Sequence, residues 1–231
     1  WESFYSRNNK KLNQPYKELC VESIVKHCGD SFQICMIDDS SFGKILKDWT
    51  ICMDGLAEPI KDRVRALAIS KILYTYGGML VPNSTIAMKD LSDLYNGKIN
   101  ENEMFVGELV NRGDSSTYSR FSPSHTFMGC IKNSNSMKDL EEYLEILISK
   151  DNTDQPNFEA SINRHIYGLM NKGKCAIICG KALGTKNKKD EVLLIDNWLE
   201  ESPIDLCMCS LYCIVIPGDE ILSRTKYQWF A

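Results

Sequence analysis

Two adjacent carboxylates, Asp38 and Asp39, close the run Phe32-Gln33-Ile34-Cys35-Met36-Ile37. A short, nearly continuous apolar run ending in acids reads as a strand buried on both faces, with the pair at its C-terminal end, where open α/β sheets hold ligands. There the two acids would contact a nucleotide or an acceptor, or else cap a following short helix. His125 stands just before Thr126-Phe127-Met128-Gly129-Cys130, a second strand-like run. An imidazole there, titrating near neutrality, suits an acid–base role in a cleft, or a structural role in the core. Asp154 and Glu159 flank the start of a helix expected from Phe158; both are candidates to face an acceptor, and both suit a helix first turn for its dipole alone.

Other chemistries lack their residues. There is no Gly-rich phosphate loop, no Gly-x-Ser-x-Gly elbow and no His-Glu-x-x-His pair. The ten cysteines include the C-x3-C of Cys175 and Cys179 and the C-x-C of Cys207 and Cys209, which overlaps a further C-x3-C to Cys213, and the histidines are only three, His27, His125 and His165. A structural zinc would want close pairs twice over, so no metal ligands are assigned. Most of the cysteines lie in apolar runs such as KCAIICG and LCMCSLYCIVI, where a free thiol behaves as a small hydrophobe. A reducing compartment, cytoplasmic or virus-associated, is the expectation. Tyr227, Trp229 and Phe230 near one end, and Trp1 at the other, are rings on which a sugar or uracil can stack, or that pack as a tail.

The elements that must position these groups follow from periodicity. Asn13-Gln14-Pro15 opens a helix that carries Tyr16, Leu19, Cys20 and Ile24 and stops at Gly29. A second helix runs from Glu58-Pro59, with Ile60, Val64, Leu67, Ala68, Ile72, Leu73 and Tyr76 at a period near 3.6, and Gly77-Gly78 ends it. Met79 to Val81 is a short strand; Met104 to Val110, Thr126 to Ile131, Ala176 to Cys179, Val192 to Ile195 and Cys213 to Ile216 are further strands. Met137 to Ser149 and Phe158 to Met170 are helices. The stretches 111–124 and 181–191 are surface loops, the first placed to act as a lid. The alternation predicts an α/β fold, a mixed and mostly parallel sheet flanked by helices.

With 231 residues, 43% hydrophobic and 25% charged, the chain has the composition of a globular protein, and its length suits one domain. A net charge of -4, from 27 basic and 31 acidic residues, leaves no excess of positive charge to grip a nucleic-acid backbone. No apolar stretch approaches the roughly 20 residues of a membrane span. What precedes Trp1 is open.

The segment RVRALAISKILYTYGGMLVPNSTI resembles a signature of the GT-A sugar transferases, the group of capsular polysaccharide synthesis proteins and yeast mannosyltransferases with a DxD sugar-binding region. Leu73, Tyr74, Tyr76, Gly77 and Gly78 match the helix end of that pattern, and ICMIDDSSF resembles its strand ending in an acidic pair. Such sequences occur in bacteria and in large DNA viruses. The resemblance implies a single nucleotide-diphospho-sugar transferase domain over residues 1–231, with a donor half at 1–95 and an acceptor half and C-terminal tail at 96–231. It implies transfer of a hexose from a nucleotide-sugar to a glycan or protein acceptor with retention. By the same resemblance Asp38, Asp39, Arg65, Gly77, Gly78, Asn83 and Ser84 form the donor site, with His125, Asp154 and Glu159 on the acceptor side.

The family neutralises the diphosphate leaving group with a cation, Mn2+ or Mg2+, held by Asp-x-Asp. Here Pro82, Asn83 and Ser84 occupy those positions. Pro82 offers no side-chain ligand, and Asn83 and Ser84 offer weak neutral oxygens to a hard cation. The family's Asp-x-x-Arg on the preceding helix is replaced by Ala66 and Ile69. Arg63, Arg65 and Lys71 are the nearby cations available to a pyrophosphate in place of a metal, or to a solvated helix face. The alternative to a transferase is therefore a catalytically inactive relative serving as a structural or binding module, such as a carbohydrate reader or a part of a viral or surface assembly.

Overall fold

The computed structural model of the protein describes residues 15–111, 114–150, 155–200 and 202–217. Trp1, the Asn13-Gln14 cap, Asp154 and the Tyr227–Phe230 aromatics lie outside them. The described elements are, in order, α1 (Pro15–Cys28), α2 (Phe42–Ile45), α3 (Ile60–Tyr76), β1 (Gly78–Leu80), β2 (Thr85–Ala87), α4 (Ser92–Glu101), β3 (Met104–Val110), β4 (Phe121–Cys130), α5 (Asn135–Ser149), α6 (Gln155–Asn171), β5 (Ala176–Ile178), α7 (Ile195–Leu199) and β6 (Cys213–Val215). The fold is mixed α/β. Among the described residues no helix is long and apolar enough to cross a membrane.

The main sheet has the order β1-β4-β3-β5, and β2 pairs with β6 in a separate two-stranded ribbon. Among the described strands only β3 and β5 run parallel; β1 with β4, β4 with β3, and β2 with β6 are antiparallel. This corrects the expectation of a mostly parallel sheet. Residues 111–120 join β3 to β4, too short a link for a parallel crossover but enough for a hairpin. Alternation along these strands divides the core. Met104, Val106, Met128 and Cys130 point to one face and pack with Leu67, Leu73, Leu140, Leu144, Phe158, Ile162 and Ile166 of α3, α5 and α6. Phe105 and Phe127 point to the other face and pack with Leu91 and Leu94 around α4, Ala87 of β2 and Cys213 of β6. A third cluster joins Phe42 and Leu46 to Val64, Ala68 and Ile72 of α3.

Gly77 is required where α3 turns into β1. Its amide donates to the Leu73 carbonyl at 2.8 Å, its φ is 75°, and a Cβ there would stand 2.8 Å from the Lys132 backbone nitrogen. The left-handed conformation and the close approach both call for glycine.

Two predicted strands are replaced by other structure. Residues 33–38 form no helix and pair with no described strand, and they are not buried on both faces: Met36 is 68% exposed and Cys35 is exposed. The segment is a strap. Phe32 and Ile34 pack on the second cluster and Ile37 on the third, so the apolar run bridges two cores. Of Val192 to Ile195, Val192 makes a single bridge to Lys186 and Ile195 opens α7, where the Leu194 amide donates to the Asn197 side chain at 2.9 Å. The expected lid at 111–124 is shorter than predicted, because β4 begins at Phe121.

Candidate functional site

The cleft grows from three elements that meet beside the α3-to-β1 turn. A cavity of about 220 Å³ is lined by Asp62, Arg65, Ala66 and Ile69 of α3, by Leu80 and Pro82 at the end of β1, and by His125, Thr126 and Met128 of β4. Ala66, Ile69 and Pro82, three of the four positions at which the sequence departs from the family pattern, therefore line one space, and the fourth, Ser84, does not. A second cavity of about 250 Å³ is lined by Asp39, Ser40, Gly43 and residues 49–54. Asp39 lines one cavity, Arg65 lines the other, and their ion pair links the two.

Arg65 is saturated by carboxylates. Its Nε and Nη2 donate to the two oxygens of Asp39, each at 2.7 Å, and Nη1 donates to Glu58 at 3.0 Å and to Asp62 at 2.5 Å. Lys61 adds a contact of 3.2 Å to Asp39. The Arg65 hydrogen bonds, with Lys61 behind them, hold the Asp39 carboxyl down to about 2, against the smaller opposing effect of burial. The same bonds raise the guanidinium above its ordinary value. A bidentate fork of this kind is among the stronger charged contacts a side chain makes. Lys61, Glu58 and Asp62 were not singled out in the sequence, although Glu58, Asp62 and Arg65 recur at the i+3 and i+4 spacing that brings charges together on a helix.

Asp38 and Asp39 separate despite being neighbours. Asp38 accepts from Ser41 Oγ at 2.5 Å and Ser40 Oγ at 2.9 Å, and these bonds, Ser41 first, lower its pKa. It braces the turn before α2 through these two hydroxyls, but it does not cap the helix, whose N-cap is Ser41 with no side-chain cap bond. Asn83 is exposed, whereas Ser84 is 5% exposed and donates its hydroxyl to the Ile216 carbonyl at 2.7 Å. Ser84 thus belongs to the end of the β2–β6 ribbon rather than to the cleft. Gly77 and Gly78 shape the turn behind the cleft wall. The other predicted cations are engaged elsewhere: Arg63 is buried with its guanidinium 4.9 Å from the Phe158 ring centre, and Lys71 reaches Glu141 at 2.9 Å and Glu145 at 2.6 Å on α5. Glu159 is exposed on α6 and does not line the cleft.

His125 does reach the cleft, through a break in the β3–β4 ladder. Val106 pairs with Met128 and Gly107 with Ser124, so residues 125–127 have no partner on β3 and bulge out of register. Bulges re-aim side chains in this way, and this one turns His125 and Thr126 into the cavity. The residue is partly covered, but its Nδ1 is shut off from solvent with no hydrogen-bond partner. Burial pushes the imidazole down to about 4, so the ring is neutral at pH 7 and not poised near neutrality as the sequence suggested. A neutral ring accepts a proton or a hydrogen bond; it is a poor acid.

The residues do not fit the cation that the family resemblance implies. Pro82 has no side-chain ligand and its carbonyl accepts from the Thr85 amide, Ser84 is turned to Ile216, and among the described residues no group of three or more His, Cys, Asp or Glu side chains could hold a metal ion. Comparison of the chain with protein-family models, with curated proteins and with solved structures returns no match.

Proposed function

We propose that the chain is a glycosyltransferase-like domain of the GT-A kind whose cleft binds a sugar unit of a glycan without a metal ion and without transferring a hexose. The observation that carries this reading is the closure of Arg65 by Asp39, Glu58 and Asp62. A pyrophosphate entering the cleft would meet an arginine already paired with three carboxylates, one of which, Asp62, lines the cleft beside it, so its charge is opposed rather than neutralised. Size points the same way. At about 220 Å³ the cavity falls below the roughly 300–1,000 Å³ of pockets for drug-sized ligands. One sugar ring, with apolar C–H faces against Ala66, Ile69, Leu80 and Met128 and hydroxyls toward Asp62, Arg65 and Thr126, suits that volume and lining better than a nucleotide-sugar does.

Calorimetric titration with UDP, GDP and their sugar conjugates, each with and without Mn2+, tests the reading. The expected result is no binding to any nucleotide, alongside saccharide binding that Ala66→Trp abolishes by filling the cavity. Micromolar nucleotide-sugar binding, about -8 kcal/mol, would overturn it. The second reading is a metal-independent hexosyltransferase, favoured by the neutral, unpartnered Nδ1 of His125 in the cleft. It requires sugar transfer that is lost in His125→Ala while donor binding is retained.

A further inference from the structure

All ten cysteines are free, and five of them, Cys20, Cys28, Cys130, Cys175 and Cys213, are buried. Cys207 and Cys209 are different. Cys209 is exposed and Cys207 half-buried, and their sulfurs stand 3.4 Å apart across a single intervening residue. Sulfur–sulfur bonding needs a further approach of roughly 1.4 Å, to the usual 2.05 Å. The backbone is already folded to bring the pair together: the amides of Ser210 and Leu211 donate to the Cys207 carbonyl at 3.0 and 2.9 Å. Lys89 donates to the carbonyls of Met208 and Cys209 at 3.1 and 3.3 Å, which anchors the turn to the residues after β2.

The surroundings favour a thiolate. Hydrogen bonds from Ser210 and Cys209, with the charge of Lys181 nearby, lower the Cys207 pKa below that of an ordinary thiol. Lys188 also lies within electrostatic reach of both sulfurs. The turn is remote from the sugar cleft, because the β2–β6 ribbon has Ser84 and Ile216 at one end and Ala87 and Cys213, which lead to this turn, at the other.

We propose that Cys207 and Cys209 form a reversible redox dithiol that low-molecular-weight disulfides such as oxidised glutathione close to an intrachain disulfide. The Cys207 thiolate attacks one sulfur of oxidised glutathione, forming a mixed disulfide and releasing one glutathione thiolate, which takes a proton. Cys209, losing its proton to solvent, then attacks Cys207 Sγ and expels the second glutathione. Two protein thiols are oxidised, and one glutathione disulfide is reduced to two thiols. Reduced glutathione reverses both steps, and an exposed bridge of this kind is the labile type.

The full chain, equilibrated in mixtures of oxidised and reduced glutathione, acid-quenched, alkylated after denaturation and digested, provides the test by mass spectrometry. The expected result is that both alkyl labels vanish together from the peptide carrying Cys207 and Cys209 and return on reduction, while the buried cysteines stay labelled. Cys209→Ser should arrest the reaction as a glutathione adduct on Cys207, a readout that a merely structural pair would not produce. Retention of both labels across the whole redox range would overturn the proposal. So would a bridge from either sulfur to the exposed Cys179.

Discussion

Helix α3 carries two clusters of charge that resemble each other in composition and differ in surroundings. In the first turns, Arg65 meets Asp39, Glu58 and Asp62 at the mouth of the cleft, with side chains from a quarter to half exposed. Further along, Lys71 and Lys138 converge on Glu141, whose side chain is 4% exposed, while Glu145 takes a second contact from Lys71. The buried carboxylate must keep its cations or bear a large desolvation penalty, so this cluster locks α3 to α5. The cluster beside the cleft is partly exposed and holds less stability, and in the proposed reading it sets what charge a ligand meets. Similar residue types thus serve packing in one place and, in the reading proposed above, recognition in the other, and exposure makes the difference.

The sharpest way to break this contrast is to remove the cations of the buried cluster. Lys71→Met with Lys138→Met strands Glu141 without a positive partner, and urea unfolding should record a loss of about 3–5 kcal/mol. Adding Glu141→Leu should return most of it, because no buried charge then remains. The next effect belongs to the cleft. His125 has a folded-state pKa of about 4, below the unfolded value of roughly 6.5, so the unfolded chain takes up the proton first. Stability should therefore fall as pH drops from about 6.5 to about 4, by at most about 3 kcal/mol, and His125→Phe should flatten that stretch of the profile.

Arg65→Met should cost only about 1 kcal/mol, since its partners remain partly hydrated. It should also raise the Asp39 pKa from about 2 toward the ordinary range. The Asp39 contribution is present above the unfolded carboxyl value near 4 and is lost as pH falls toward 2; carbon-detected NMR titration of Asp39 in both proteins measures the change. The smallest effect is expected at Asn83→Ala, exposed and outside the cavity lining, which should leave stability within about 0.5 kcal/mol and saccharide binding unchanged. A loss of binding there would extend the recognition surface beyond the cleft and sharpen its boundary.

Much of the frame was legible from periodicity. The span of α3 and its stop at Gly77-Gly78, the strands β1, β3, β5 and β6, and helices α5 and α6 all carry patterns that the structure reproduces within a few residues. The second strand of the ribbon was not legible. No element is expected at Thr85–Ala87 from the local pattern, and only its pairing with Cys213–Val215, distant in the chain, makes it β2. The strand predicted at 32–39 failed for the complementary reason. Its apolar residues are real core contacts, but they serve two different clusters, and no neighbouring strand pairs with its backbone.

The sequence by itself determined which residues are apolar and at what period, where glycine must end α3, and that Pro82, Ala66 and Ile69 bring no polar side chain to their positions in any conformation. Tertiary structure alone decided the fate of the polar side chains. It set Asp39 against Arg65 across 26 positions, gave the Ser84 hydroxyl to Ile216 across 132, and turned His125 into the cleft through a bulge opposite β3. Periodicity is a local property of the chain. A carboxylate's partner, a hydroxyl's acceptor and the desolvation of a ring depend on which distant segments arrive beside them, and no local pattern encodes that.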